Sequence, residues 1–175
     1  ACFHWYDEYR FRKAEGDYAH VMDRGYILRS PEGHALRMIG AMLNITERKQ
    51  VEEALQESEE FRRAIFDSMG AHVAVINQAG VILAVNAPWE RFRNENARAD
   101  GSPACKCGLG DNYLEVCRCG AAQGAEGAMT AWEGIRSVLA GETASFAMEY
   151  PCHSPTEQRW FSMMVTPLGG GRRGA

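Results

Sequence analysis

The chain has 175 residues, of which 46% are hydrophobic and 24% are charged, and its formal net charge at pH 7 is −4. This size and composition indicate an ordinary globular protein of one or two small domains. Acidic and basic residues are interspersed, so we expect no nucleic-acid partner, because such binding needs a clustered basic surface. The sequence has neither a signal-peptide pattern nor an apolar run of the roughly 20 residues that span a bilayer, and we therefore expect a cytoplasmic protein with no membrane segment here.

The first part of the chain has the pattern of three strands. Residues 5–13 alternate aromatic and charged side chains, which is typical of a half-buried strand. Two more strand patterns follow over residues 18–30 and 35–45, and the turn sequences AEGD and PEGH separate the three. We predict an antiparallel meander in which Gly25 marks a bulge or a close approach. It looks like the second half of a domain, because these residues offer the apolar face nothing to pack on.

Residues 47–69 predict a helix, with Thr46 as its N-terminal cap. A narrow stripe recurs at three- and four-residue steps and includes one weak member, Ser58; it consists of Val51, Ala54 or Leu55, Ser58, Phe61, Ile65, and Ser68 or Met69. Two interpretations stay open. The helix packs on a neighbouring domain, or it forms a parallel coiled coil with a second copy of the chain, which the short heptad pattern favours.

The remaining residues predict a second set of strands and helices. A hairpin with a tight turn at residues 78–80 is followed by a short helix from Ala87, a loop over residues 98–112 and a helical turn or two from Tyr113. An amphipathic helix is predicted over residues 128–142 and ends at Gly141. Two further strands close the sequence, in the segments SFAMEYPCH and RWFSMMVTPL.

Two stretches of this sequence resemble PAS domains. The segment YRFRKAEGDYAHVMDRGYILRSPEGHALRMIGAMLNITERK is similar to the C-terminal half of a PAS domain, the PAC motif. Residues 60–168 resemble a second PAS domain of a bacterial sensor subgroup, through the segments FRRAIFDSM, VAVINQAGVILAVNAPWERF, GLGDNYLEVC and EYPCHSPTEQRWFSMMVTPL. Together the two matches cover nearly the whole chain.

The resemblance implies an α+β fold, a five-stranded antiparallel sheet in spatial order 2-1-5-4-3 with helices on one face. Residues 1–46 are then the last strands of a first PAS domain, residues 47–69 a signalling helix, and residues 70–175 a second PAS domain. The second domain has strands one to four, and its fifth strand would follow Gly171. One partial and one nearly complete domain are thus expected on either side of a helix.

The resemblance also implies a role for the start of the helix. PAS domains usually close with Asp-Ile-Thr, which couples the core to the outgoing helix, and this chain has Asn44, Ile45 and Thr46 at those positions. We expect these three residues to relay a signal through the helix, although a passive spacer stays an alternative. Because Asn44 replaces the acid, an ionised interaction at this position is absent or weakened.

The expected function is therefore a sensory module in a bacterial signal-transduction protein. The resemblance implies a downstream output domain, a histidine kinase of a two-component system first and a diguanylate cyclase as the alternative. We expect the chain itself not to be an enzyme, because the sequence lacks a catalytic triad, a phosphate-binding loop and a dinucleotide fingerprint. The rival hypothesis is a PAS domain with a filled core that serves dimerisation without a ligand.

A ligand pocket is expected in the second PAS domain, between the longer helix and the sheet. Its candidate lining residues are Asn86, Tyr113, Trp132, Ile135, Leu139, Trp160, Phe161 and Met163. The ligand stays unknown. Non-covalent FAD is one alternative, whereas haem is disfavoured because residues 126–142 contain no His, and neither His72 nor His153 is expected to face a pocket. A flavin–thiol adduct is disfavoured because Tyr113 stands where a Cys is required.

Four cysteines form a candidate metal or iron–sulfur site, and they are Cys105, Cys107, Cys117 and Cys119. Thiolate ligands within so short a stretch are typical of Zn²⁺ and iron–sulfur sites. A single residue separates the members of each pair, whereas Zn²⁺ sites usually have two or more, so ordinary free thiols are the alternative. Nothing indicates secretion, so disulfides are not expected.

Overall fold

The computed structural model describes residues 3–96, 107–152, 158–169 and 174–175. The chain is α+β with antiparallel strand pairs. It divides into two units, Ala1–Arg63 and Ala64–Ala175, and the boundary falls within a single helix. In the part of the chain that the structure describes, no helix combines the length and the apolar character needed to span a bilayer.

The first unit contains the predicted meander. Its strands are β1 (Phe3–Arg12), β2 (Tyr18–Arg29) and β3 (Ala35–Asn44), which pair in that order. Gly25 lies opposite both Trp5 and Gly40. A Cβ atom there would lie 2.8 Å from the Met38 methyl carbon, so Gly25 is a close approach, while the register shift occurs further along β2. Every residue of β3 is exposed, including its large apolar side chains.

The helix α1 (Thr46–Ser68) follows β3 after one residue. None of its side chains is buried. The predicted apolar stripe is therefore exposed along its length, at Val51, Leu55, Phe61 and Ile65, and at Met69 just beyond it. The helix agrees with the predicted range to within one residue at each end.

The second unit begins with the hairpin of β4 (Ala74–Ile76) and β5 (Ile82–Val85). Three helices follow, α2 (Ala87–Glu95), α3 (Tyr113–Ala122) and α4 (Ala128–Ala140). The last hairpin pairs β6 (Phe146–Pro151) with β7 (Trp160–Val165). Helix α3 begins at Tyr113 as predicted, where Asn112 caps its first turn by accepting from the Glu115 N–H, and its ten residues exceed the predicted turn or two.

The core of the second unit lies between its strands and α3 and α4. Its buried members are Ile76, Ile82, Val85, Cys107, Cys117, Ala131 and Ile135. Partly buried side chains pack around them, among them Trp89, Met148 and Met163. Burial of this apolar surface supplies the main stabilisation of the unit.

The last described residues, Gly174 and Ala175, contact β4. The Ile76 N–H donates to the Ala175 carbonyl at 2.6 Å, and the Ala175 N–H donates back to the Ile76 carbonyl at 3.0 Å. On the other side, the Gly174 carbonyl accepts from the N–H of Leu168, which lies just after β7. These two residues thus connect the first strand of the unit with the segment that follows its last strand.

The contact between α4 and β6 allows a test of the packing. A Cβ at Gly134 would overlap the Phe146 ring, whereas one at Gly120 on α3 would lie 3.5 Å or more from its neighbours. We expect Gly134→Ala to destabilise the second unit by about 1–3 kcal/mol through overpacking. The matched Gly120→Ala should stabilise it by up to about 1 kcal/mol, since Ala favours a helix. Urea unfolding measures both, and equal effects would contradict the packing.

Candidate functional site

The start of α1 is held by the predicted relay residues. The Asn44 Oδ1 accepts from the Thr46 N–H at 3.0 Å and from the Thr46 hydroxyl at 2.7 Å. That hydroxyl accepts from the His20 N–H at 2.9 Å, and the buried Ile45 donates its N–H to the His20 carbonyl at 2.8 Å. The predicted capping role of Thr46 was wrong, because its hydroxyl serves β2 and Asn44 accepts the first N–H of the helix.

An acidic residue of β1 adds an ionic contact to the same junction. The Glu8 carboxylate lies 2.9 Å from the Lys49 Nζ and 3.1 Å from an Arg48 guanidinium nitrogen. The hydrogen bonds from Lys49 and from the Tyr6 hydroxyl lower the pKa of Glu8 to about 2. Sequence reasoning missed Glu8, because its partners are 40 residues away and no local pattern relates them.

The end of α1 is held by Asn86, which is 0% exposed. Its Nδ2 donates to the carbonyls of Phe66 and Ala71, at 3.3 and 2.8 Å. Its Oδ1 accepts from the N–H groups of Val73 and Trp89, at 3.0 and 3.1 Å. An amide side chain has two donor hydrogens and two acceptor lone pairs, so Asn86 has no capacity left for a ligand.

A second contact lies beside Asn86. The Asp67 Oδ1 accepts from the Ala87 N–H at 2.9 Å. Ala87 is the first residue of α2, where a free N–H and the helix dipole both favour a carboxylate. The last turn of α1 and the first turn of α2 therefore share two side-chain contacts.

Several predicted pocket residues pack in the core. Ile135 is 2% exposed and belongs to the buried cluster, against which Leu139 and Met163 also pack. The Tyr113 ring meets the Trp89 ring edge-on, with centroids 5.8 Å apart, and burial raises the pKa of its phenol. These side chains occupy the interior that a ligand would need.

The other predicted pocket residues lie apart from these. Trp160 is exposed, and because side chains alternate along a strand, it faces away from Phe161 and Met163. Phe161 contacts the rings of His72, Phe92 and Tyr150. The structure therefore brings together Ile135, Leu139 and Met163, and places Trp160 on the opposite face of its strand.

Two shallow grooves run along α4. One of about 150 Å³ is lined by Trp132, Glu133, Arg136, Ser137, Ala140 and Glu142. The other, of about 250 Å³, is lined by Gln78, Leu114, Arg136, Leu139 and Ala140. The Arg136 guanidinium carbon lies 4.5 Å from the Trp132 ring centroid. Both grooves fall below the roughly 300 Å³ at which typical ligand pockets begin.

The predicted cysteine site is only partly within the described residues, because Cys105 lies outside them, as does His153, which was considered only as a haem ligand. Cys107 is buried and disulfide-bonded, so it offers no thiolate in this form. This disulfide was not expected. Cys117 and Cys119 are free, but they lie two residues apart on α3 and do not face each other.

Burial raises the pKa of the Cys117 thiol to about 11, which keeps it protonated at neutral pH. Among the described residues, no three His, Cys, Asp or Glu side chains come together as a metal site. The four-cysteine site stays a prediction.

The chain is similar to one segment of a much longer protein. No family model matches the chain. A protein from Rhodobacter capsulatus, described as an uncharacterized 104.1 kDa protein in hypE 3'region, is 38% identical over 158 residues. The match covers 89% of this chain, and the chain spans about 15% of the length of that relative. Since its description assigns no activity, function has to be argued from the residues.

The ion pairs of Glu8 predict how stability depends on pH. The folded pKa of about 2 lies below the ordinary value of 4.5, so the stabilisation is complete above about 4.5 and is lost as the pH falls through about 2. We expect Glu8→Gln to lower the stability of the first unit at neutral pH. The difference from the unchanged protein should shrink steadily over that acidic range.

Urea unfolding followed by circular dichroism at several pH values measures this difference. Glu57→Gln is the matched control, because Glu57 is an exposed acid of α1 that makes no ion pair with the described residues. If Glu8→Gln and Glu57→Gln behave alike at neutral pH, the Glu8 contacts do not stabilise the junction.

Proposed function

We propose that the chain is a PAS-type sensory module of a cytoplasmic bacterial signal-transduction protein. It relays a cue through α1 to a downstream output domain of the histidine kinase type. The observation that carries this proposal is that α1 runs unbroken from Thr46 to Ser68, and side-chain contacts hold it at both ends. A helix held in this way transmits a rotation or a shift from one end to the other.

The backbone pairing of the second unit supports the PAS assignment. Strand β5 pairs with β4, β4 contacts residues 174–175, those residues contact Leu168 just after β7, and β7 pairs with β6. This succession corresponds to the PAS order 2-1-5-4-3, with residues 174–175 at the start of the fifth strand. The fifth strand is expected after Gly171, and we propose that residues 174–175, which bridge to β4, belong to it.

The exposed stripe of α1 supports a dimer. Its large apolar side chains recur at four-residue steps on either side of the polar Ser58, and such a stripe favours burial against a matching helix. The rest of α1 is rich in charged side chains, as expected for the outward faces of a two-stranded coiled coil. We therefore propose a second copy of the chain as the partner of this stripe.

The relay is tested by changing the phase of α1 in the parent protein. A single residue inserted after Gln56 rotates the helix that follows by about 100°. We expect it to change phosphate incorporation from ATP at least about fivefold, in either direction, which is within the range of allosteric couplings.

A seven-residue insertion at the same place is the control. It nearly restores the phase, because seven residues make almost two turns. This variant should stay within about twofold of the original output. If both insertions are silent, α1 is a spacer. If the parent makes a cyclic dinucleotide and no phosphoprotein, the output is a diguanylate cyclase.

A second candidate function is a PAS dimerisation module without a ligand. The observation that favours it is the filled interior of the second unit, where Ile82, Ile135 and their neighbours occupy the space between strands and helices. Under this hypothesis α1 holds two copies together and the single-residue insertion leaves output unchanged. Both hypotheses share the dimer.

The dimer is tested on the stripe itself. Leu55→Gln combined with Ile65→Gln removes two large apolar side chains per copy, each of which stabilises by about 1.5–3 kcal/mol when fully buried. We expect dissociation to become at least about a hundredfold easier, since 1.4 kcal/mol corresponds to a tenfold change.

Sedimentation under reducing conditions measures the change. The control is Glu53→Gln combined with Glu57→Gln. Like the test variant it introduces two Gln residues into α1, but both lie outside the stripe, so the dimer should stay intact. A chain that is monomeric before any substitution would exclude the coiled coil.

A further inference from the structure

The amide of Asn86 has an unusual distribution of hydrogen bonds. The Phe66 carbonyl, to which its Nδ2 donates, is one of the last four carbonyls of α1, which have no partner within the helix. The Trp89 N–H, from which its Oδ1 accepts, is one of the free N–H groups that open α2. One side chain therefore caps the end of one helix and the start of the next.

From Asn86 the contacts continue into the core. The Trp89 indole N–H donates to the Cys107 carbonyl at 2.8 Å, and its ring lies edge-on to Tyr113 at the start of α3. Trp89 thereby joins the first turn of α2 to two core residues. A displacement of α2 within the core must move the N–H that Asn86 holds.

We propose that Asn86 is the positioning residue that couples the end of α1 to the core of the second unit. Its amide nitrogen holds the last turn of α1 at Phe66 and the chain just beyond it at Ala71, and its oxygen holds the first turn of α2 at Trp89 and Val73, the residue before β4. A shift of either helix alone would leave a buried polar atom without a partner, which is costly. The end of α1 therefore follows α2. This inference rests on the proposed relay and names the residue through which the second unit takes part in it.

The substitution Asn86→Asp tests the donor role of the amide separately from its acceptor role. Asp keeps the acceptor oxygens and remains a good N-cap for α2, but it loses both donors. Asn112→Asp is the matched control, because Asn112 also caps a helix with its Oδ1 and donates its Nδ2 to a carbonyl, that of Ala79, without contacting α1. Hydrogen exchange of the full 175-residue chain at rising urea concentrations compares the amides of residues 64–68 with those of α4.

In the unchanged protein we expect residues 64–68 to exchange through the same opening as α4. In Asn86→Asp they should exchange at least about tenfold faster than before and lose their dependence on urea, as two hydrogen bonds imply. The α4 amides should change less than about threefold. In Asn112→Asp, residues 64–68 should still exchange through the same opening as α4.

Two outcomes overturn the inference. If Asn86→Asp accelerates residues 64–68 and α4 equally, Asn86 only stabilises the fold. If it accelerates neither, its donors hold nothing. Should the buried carboxylate prevent folding, Asn86→Ser, compared with Asn112→Ser, replaces the two amide donors by a single, shorter hydroxyl without adding a charge, and it is judged by the same criteria.

The exchange result does not depend on any output activity. Suppose that residues 64–68 exchange independently of α4 in Asn86→Asp, while the single-residue insertion after Gln56 leaves output unchanged. The coupling role of Asn86 is then correct and the proposed relay through α1 is wrong. Suppose instead that the insertion changes output, while residues 64–68 still exchange together with α4 in Asn86→Asp. The relay through α1 is then correct and the coupling role of Asn86 is wrong.

Discussion

The structure depends on how the unpaired backbone groups at the two ends of α1 are satisfied. A helix leaves free N–H groups at its start and free carbonyls at its end, and these need partners wherever water is excluded. An asparagine meets the need at each end. Asn44 accepts from the first N–H of the helix, and Asn86 donates to the Phe66 carbonyl. Because an amide carries both a donor and an acceptor, the same residue type serves both ends.

The charges around the start of α1 have a separate physical reason. Arg48 and Lys49 lie in its first turn, where the helix dipole disfavours positive charge. Glu8 on β1 places a carboxylate beside both of them. This carboxylate offsets the unfavourable interaction of the two positive charges with the helix dipole. Glu47 in the same turn already carries the negative charge that the dipole favours, and Glu8 adds a second one from β1. The start of the helix is therefore stabilised both by its own sequence and by the neighbouring strand.

Local patterns in the sequence were enough for most of the fold. Alternation predicted β1, apolar residues at helical spacing predicted α1 and α4, and the turn at Gly80 follows from its glycine. Long-range contacts gave no such signal. Asn86 was predicted as a candidate ligand contact in a pocket, yet its amide is used entirely by backbone groups up to 20 residues away. Periodicity identifies an inward-facing residue, but it does not separate a filled core from a cavity.

The filled interior limits how the second unit can rearrange. Ile82 and Ile135 are almost completely buried, and branched side chains in such positions have little freedom to repack. Met148 and Met163 are partly buried beside them and are unbranched, so they adapt more easily. The rearrangement of this interior that costs least is a displacement of these two methionines, on β6 and β7. Since β6 packs against α4 at Gly134, such a displacement moves the helix layer.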